Sequence, residues 1–198
     1  GSSWAEQNNL NTGRARGSNI GSQTAALFCG GSEPSVSAHS EEYNGTSWTE
    51  GNNLNTARKE LGGAGTQTSA TIAGGSTGSV SNVVEQYDGT SWTTIPATLG
   101  TARTSLTPTN AGTSSSYMVS GGNTGSIVGN SEEFTISLLA TTGGAWSSGA
   151  NYPTTIQDAA GAGPSTAAVL WGGYDGPAYD AETFEYDGTT WTESGDLN

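Results

Sequence analysis

Apolar residues in this chain come in short bursts, and each burst is stopped by a pair of glycines. "AALFC" runs into Gly30-Gly31 and "SATIA" into Gly74-Gly75, and further apolar runs end at Gly121-Gly122 and Gly172-Gly173. Runs of that length bounded by glycine read as strands. After a polar loop comes "NVVEQY" (82–87), which alternates enough for a half-buried strand. Asn44-Gly45, Asp88-Gly89 and Asp187-Gly188 follow at the same place in their units. Such pairs predict a two-residue type I′ hairpin, in which both central residues take positive φ. "TSWT" (90–93) then supplies a fourth strand with its Trp inward. Ahead of the apolar burst lies a strand of very small residues, "LGGAG" (61–65), joined to it by the turn "GTQT". The pattern predicts an all-β fold of four short antiparallel strands per unit.

The units recur. Trp4, Trp48, Trp92, Trp146 and Trp191 are separated by 44, 44, 54 and 45 residues. The Gly-Gly pairs keep the same step, as do single glycines nine residues before each pair (Gly21, Gly65, Gly112, Gly163). Aromatic residues 12 or 13 positions after each pair complete the set: Tyr43, Tyr87, Phe134 and Tyr186. Four markers in register define repeat units 4–47, 48–91, 92–145 and 146–190, with a partial copy at 191–198, all within one domain spanning 1–198. One four-stranded sheet cannot cover both of its faces, so units must stack. A solenoid and a propeller both achieve this. The four-strand unit and the Asp-Gly turns favour the propeller, with the small-residue strand innermost, where blades crowd the axis, and the Tyr and Trp rings farther out.

These residues resemble the kelch repeat, whose pattern is a Gly-Gly pair after an apolar strand, then a spaced Tyr, then a spaced Trp. The match reads Gly30-Gly31/Tyr43/Trp48, Gly74-Gly75/Tyr87/Trp92 and Gly172-Gly173/Tyr186/Trp191. Unit three departs from it, with Phe134 for Tyr and the stretched segment "FTISLLATTGGAW" before Trp146. The segment after the Trp loop ends in Arg14, Arg58 and Arg103, whereas unit four has "PTTIQD" and no arginine. The resemblance covers nearly the whole chain and implies a kelch-type β-propeller. The wording "YDGTSWTE…LNTAR…GAGTQT…GG" is further similar to kelch-like arrays in proteins of marine bacteriophages, which implies a virion or tail-fibre component located on a virion or extracellularly.

Composition narrows the function. Eighteen acidic residues against five basic ones give a net charge of −13, which disfavours nucleic acid and anionic membranes as partners. No apolar run approaches the length of a membrane span. Cys29 is the lone cysteine and reads as a small buried residue. His39 is the lone histidine, so neither a His-based metal site, nor a Ser-His-Asp triad, nor copper-radical oxidase chemistry has its residues. The expectation is no catalytic residue, no metal and no cofactor. Glu41, Glu85 and Glu132 occupy one repeat position, and an active site needs asymmetry, so structural pairing with Arg14, Arg58 and Arg103 is the expectation. The alternative places those arginines around one mouth of the channel, facing an anionic partner.

The least repetitive stretch is "WGGYDGPAYDAETF" (171–184). Trp171 stands where the other units have Cys29, Ala73 and Ser120, and Tyr174, Asp175, Tyr179 and Asp180 follow it. Aromatic faces beside carboxylates suit sugars, since rings stack on pyranose C–H faces and carboxylates accept hydroxyl hydrogens. Two functions stay open: a non-enzymatic structural and interaction module with other protein subunits as partners, and an adhesin or tail-fibre tip that binds a cell-surface glycan. The ends also carry information. "GSSWAEQNNLN" at the start aligns with "GTTWTESGDLN" at the end, so the fourth strand is duplicated, as in a slice of a longer array or an assembly of several chains.

Overall fold

The computed structural model describes residues 3–109, 112–136 and 145–197. Its strands form four sheets of four strands, each antiparallel, arranged as the blades of a β-propeller. Blade one contains β1 (Ser18–Ser22), β2 (Ala25–Cys29), β5 (Ser40–Tyr43) and β6 (Trp48–Glu50), with a small hairpin, β3 (Ser32–Glu33) and β4 (Ser35–Val36), in its loop. Blade two contains β7 (Gly62–Thr66), β8 (Ser69–Ala73), β9 (Val84–Tyr87) and β10 (Trp92–Thr94). Blade three contains β11 (Thr107–Pro108), β12 (Ser116–Ser120), β13 (Ser131–Thr135) and β14 (Ala145–Ser148). Blade four contains β15 (Ala160–Ala162), β16 (Ala168–Trp171), β17 (Thr183–Tyr186) and β18 (Trp191–Glu193). The sheets group the repeat with its Trp strand last.

The innermost strands pack in chain order, β1 on β7, β7 on β11 and β11 on β15. Small residues permit this approach: a Cβ on Gly63 would lie 2.6 Å from Ile20 Cδ1 of the preceding blade. Outer strands are held by rings. Tyr43 and Trp48 are directly paired across strands, as are Tyr87 and Trp92, and Tyr186 and Trp191. Their ring centroids lie 5.0, 4.9 and 4.8 Å apart, within the range of favourable aromatic contact. Phe134 does the same with Trp146 at 5.2 Å.

Two local features differ from the sequence expectation. The Asp-Gly turns are not type I′ hairpins. Only the glycine is left-handed (Gly45, Gly89 and Gly188, φ 90–92°), and the loop between Tyr87 and Trp92 spans four residues. The reason is a side-chain cap: Asp88 Oδ1 accepts the amides of Thr90 and Ser91 at 2.9 and 2.8 Å, which favours an Asx turn over a two-residue loop. Asn44 and Asp187 accept the corresponding amides in their own loops. The duplicated terminal strand is also only half realised. The C-terminal copy is β18, while residues 3–10 form no strand, because blade one is already completed by Trp48 and offers Trp4 no ladder. Trp4 is fully exposed, and Gly1 and Ser2 lie outside the described residues.

Blades are joined by backbone as well as by side chains. Arg16, Glu60, Ser105 and Asp158 hold equivalent positions just before each innermost strand, and all are left-handed, with φ of 61, 57, 52 and 54°. Four non-glycine residues in that region signal an over-determined conformation. The last three each donate their N–H to the carbonyl of the counterpart one blade back: Glu60 to Arg16 at 2.7 Å, Ser105 to Glu60 at 3.0 Å and Asp158 to Ser105 at 3.2 Å. A belt of peptide groups thus runs around one end of the axis.

Candidate functional site

The repeated charges form the frame. Arg58 Nη2 lies 2.8 Å from Glu85 Oε1, and its Nη1 donates to the carbonyls of Gly74 and Val83 at 2.9 and 2.7 Å. Glu85 also accepts the amides of Asn55 and Thr56 at 2.7 and 3.3 Å. The carboxylate therefore pins the connection entering its blade. Arg14–Glu41 and Arg103–Glu132 repeat the arrangement at 2.6 and 3.0 Å, with loop amides of Asn11, Thr12, Gly100 and Thr101 on the carboxylates. All three guanidinium side chains are fully buried, so they do not ring a channel mouth. Burial pulls the Arg58 and Arg103 guanidinium groups below their ordinary values, and the adjacent glutamates oppose that shift.

Blade four replaces this device with an apolar one. Ile156 occupies the arginine position and Phe184 the glutamate position, in a cluster with Tyr152 and Leu170. Pro153 falls where Asn11, Asn55 and Gly100 donate to the carboxylate, and proline has no N–H to donate.

Between blades, tyrosine hydroxyls reach glutamates one blade back. Tyr87 donates to Glu42, and Tyr186 donates to Glu133 at 3.0 Å. Burial and the neighbouring carboxylate raise both phenols above their ordinary range. Where the following blade carries Phe134, with no hydroxyl, the acceptor position holds Gln86, bonded instead to Thr71 and Ser114. Neither Glu42 nor Gln86 stood out in the sequence. The signal was present as the one Gln among glutamates, preceding the one Phe among tyrosines.

The five residues expected to bind a ligand divide into two places. Tyr174 and Tyr179 face each other on a loop, joined by a β-bridge, with ring centroids 5.6 Å apart; Tyr179 is 90% exposed. Asp175 and Asp180 lie on the same loop, each with one carboxyl oxygen engaged, by Ala178 N and Glu182 N respectively at 2.9 Å. Burial of its carboxyl, then the charges of Asp180, Glu193, Asp196 and Asp175, pushes Glu182 above the usual carboxylate range. The loop is an acidic, aromatic surface. Trp171 sits apart from it, half-buried on the face of blade four opposite to the one that packs on blade three. The stretched part of unit three, 137–144, lies outside the described residues.

The remaining single residues are plain. Cys29 is buried, and burial pushes its thiol up to about 12, so it is inert as a nucleophile. His39 Nδ1 lies 3.2 Å from Glu33 Oε1 at the surface. A basin of about 630 Å³ opens at one end of the axis, lined by the turns between the two inner strands of blades one to three, including Gly21, Gly65, Gln67 and Gly112. Its described walls carry hydroxyls, amides and backbone and no ionisable side chain.

No protein-family model matches the chain, and no curated protein matches it in sequence. Among solved structures it is similar to one described as "Structure of YjhT", with a TM-score of 0.75 at 12% identity over 96% of this chain and 68% of that one. At that identity the likeness concerns the fold alone.

Proposed function

We propose that the chain is a non-enzymatic interaction scaffold, a kelch-type propeller module that works as a structural component of a phage virion appendage. The observation that carries this reading is the use of its reactive side chains. The pairs Arg14–Glu41, Arg58–Glu85 and Arg103–Glu132 are buried in the blade frame, Arg16 is tied to Glu60 at the surface between blades one and two, and the axial basin presents only neutral groups. A propeller of this kind offers rigid loops on a fixed frame, which suits recognition and assembly. The Gly-Gly, Tyr and Trp markers support the kelch assignment, and the repeat wording supports the virion setting. Mass spectrometry and antibody labelling of purified virions test it. The chain is expected on an appendage in fixed copy number, and its absence from particles would sink the virion reading.

A second reading rests on the Tyr174–Tyr179 pair. Two tyrosines at 5.6 Å, one nearly fully exposed, beside Asp175 and Asp180, form a surface suited to a neutral glycan. A glycan array separates the readings. Binding that is lost in Tyr179→Ala and kept in Trp171→Ala assigns the loop as a glycan site, while an array blank at millimolar glycan leaves the scaffold reading alone.

A further inference from the structure

A sheet edge that is left open offers its outward peptide groups to another strand. Blades one and two close theirs. The connection entering each of them crosses its outermost strand and brings two asparagines. On blade one, Asn8 Nδ2 donates to Thr46 O at 2.6 Å and Asn11 Nδ2 to Trp48 O at 3.0 Å. On blade two, Asn52 and Asn55 donate to Thr90 O and Trp92 O at 2.6 and 2.8 Å. Carbonyls that point away from the sheet at β6 and β10 are therefore taken.

Blade four leaves its edge open. Its entering connection takes the same course, since Trp191 Nε1 donates to Ala150 O at 3.0 Å as Trp48 Nε1 does to Asn8 O at 3.1 Å. Ala150 thus stands at the place of Asn8 and Asn52, and Pro153 at that of Asn11 and Asn55. Neither side chain can donate. Among the described residues no hydrogen bond reaches the carbonyls of Thr189 and Trp191, the counterparts of the capped ones. The inward groups are used: Thr190 O accepts from Asp187 N, and Ser194 N donates to Thr183 O. Alternation along β18 then turns the N–H and C=O of Trp191 and Glu193 away from the sheet. The covering connection, residues 149–153, precedes β18 in the chain and lies within the described residues, so the opening is a property of blade four itself.

The open edge also selects by charge. Glu193 is exposed on β18 itself, and Glu185 is exposed on the neighbouring strand opposite Thr192. Asp187 adds a third exposed carboxylate at the turn between them. No lysine, arginine or histidine follows Arg103 in the sequence, so blade four carries no cation to offset them. A second copy of the same edge would set like charges opposite each other, which opposes pairing. A strand with lysine or arginine at alternate positions sets opposite charges there instead, while main-chain bonds supply the ladder.

We propose that β18 takes a fifth strand, an extended segment of a partner protein with lysine or arginine at alternate positions. The segment accepts from the N–H groups of Trp191 and Glu193 and donates to the carbonyls of Thr189 and Trp191. Its cations lie on the face of Glu193. The assignment rests on the scaffold reading and gives the partner a chemistry. It is independent of what the Tyr174–Tyr179 loop binds.

The probe is a peptide of alternating threonine and lysine, about ten residues long, with a threonine–glutamate peptide as control. Both are titrated onto the purified chain by fluorescence anisotropy, and amide hydrogen exchange locates the contact. The lysine peptide is expected to bind, to slow exchange at Trp191 and Glu193, and to leave Trp48 and Trp92 unchanged. The glutamate peptide is expected not to bind. Ala150→Asn supplies the cap that Asn52 makes on blade two, and Glu193→Pro removes an outward N–H while leaving the inward ones. Each should weaken binding about tenfold or more at an unchanged melting temperature. Glu193→Gln, which removes charge alone, should weaken it less. No binding at millimolar peptide overturns the proposal, as does slowed exchange confined to other strands. Equal affinity for the parent and Ala150→Asn also overturns it, because charge alone would then hold the peptide. None of these results touches the presence of the chain on virions, which is tested separately.

Discussion

Blades two and four solve one problem with opposite chemistry. Each must fix the connection that enters it against its own sheet, next to a neighbouring blade. Blade two uses a buried ion pair, Arg58–Glu85, whose carboxylate also accepts two loop amides. Blade four uses Ile156, Phe184 and Tyr152, the last two in edge contact at 4.9 Å, and sets Pro153 where a donor would be orphaned. The three changes form one unit: with the carboxylate gone, the cation and the amide lose their partner together. Desolvating two charges is expensive, and an apolar replacement of the same volume is often as stable. The charged version therefore is not required for blade stability, although half of it would be ruinous.

The largest expected effects come from breaking that unit. Arg58→Ile leaves Glu85 buried without its cation and should lower stability to denaturant by about 3–5 kcal/mol. Ile156→Arg, which buries a cation against Phe184, should do comparable damage. The triple change Arg58→Ile, Glu85→Phe, Asn55→Pro, which copies blade four at those three positions and keeps Leu54 where blade four has Tyr152, should recover most of the loss. A triple variant no better than Arg58→Ile would show that the two solutions are not equivalent. Next comes the Glu–Tyr contact. Gln86→Glu places a carboxylate opposite Phe134, which has no hydroxyl, and should cost about 1–3 kcal/mol, with Phe134→Tyr restoring it. Both are read from urea unfolding midpoints.

A smaller effect, of opposite sign, is expected at Tyr117. Its hydroxyl is buried without a partner, and burial holds the phenol well above its ordinary value. Tyr117→Phe should raise stability by about 1 kcal/mol, and a clear loss would reveal a partner for that hydroxyl. The smallest effect distinguishes the turns of blades one and two. Amides of Ser91 and Thr90 hold the Asp88 carboxyl below its ordinary value, so its stabilising effect is complete above about pH 4 and fades as pH falls through the lower folded value. Asn44 makes the equivalent turn without a charge. Asp88→Asn should leave the neutral melting temperature nearly unchanged and flatten the acid side of the stability profile. An unaltered acid limb would mean that the cap does not respond to charge.

The blade order was legible because it rests on side-chain type. Gly-Gly stops, five-residue apolar strands and evenly spaced rings leave few alternatives to four-stranded sheets stacked about an axis. The partition of Trp171 from Tyr174 and Tyr179 was not legible, because neighbours in sequence point to different places when a strand ends between them. The turns were misread for a related reason. Asp-Gly suits two loop geometries, and the choice lies with amides two and three residues on. Least visible was the belt through Arg16, Glu60, Ser105 and Asp158: four different side chains share a backbone state that none of them specifies.

That belt has a consequence for how such a chain changes over time. The joint is made from peptide groups, so the same bond recurs whether the side chains are Arg and Glu, which also pair across the first joint at 2.9 Å, or Ser and Asp at the later ones. Whole units can then be duplicated, lost or exchanged in a single genetic event and still find a matching neighbour. The same geometry is compatible with very different side chains, as a fold likeness with a TM-score of 0.75 at 12% identity illustrates.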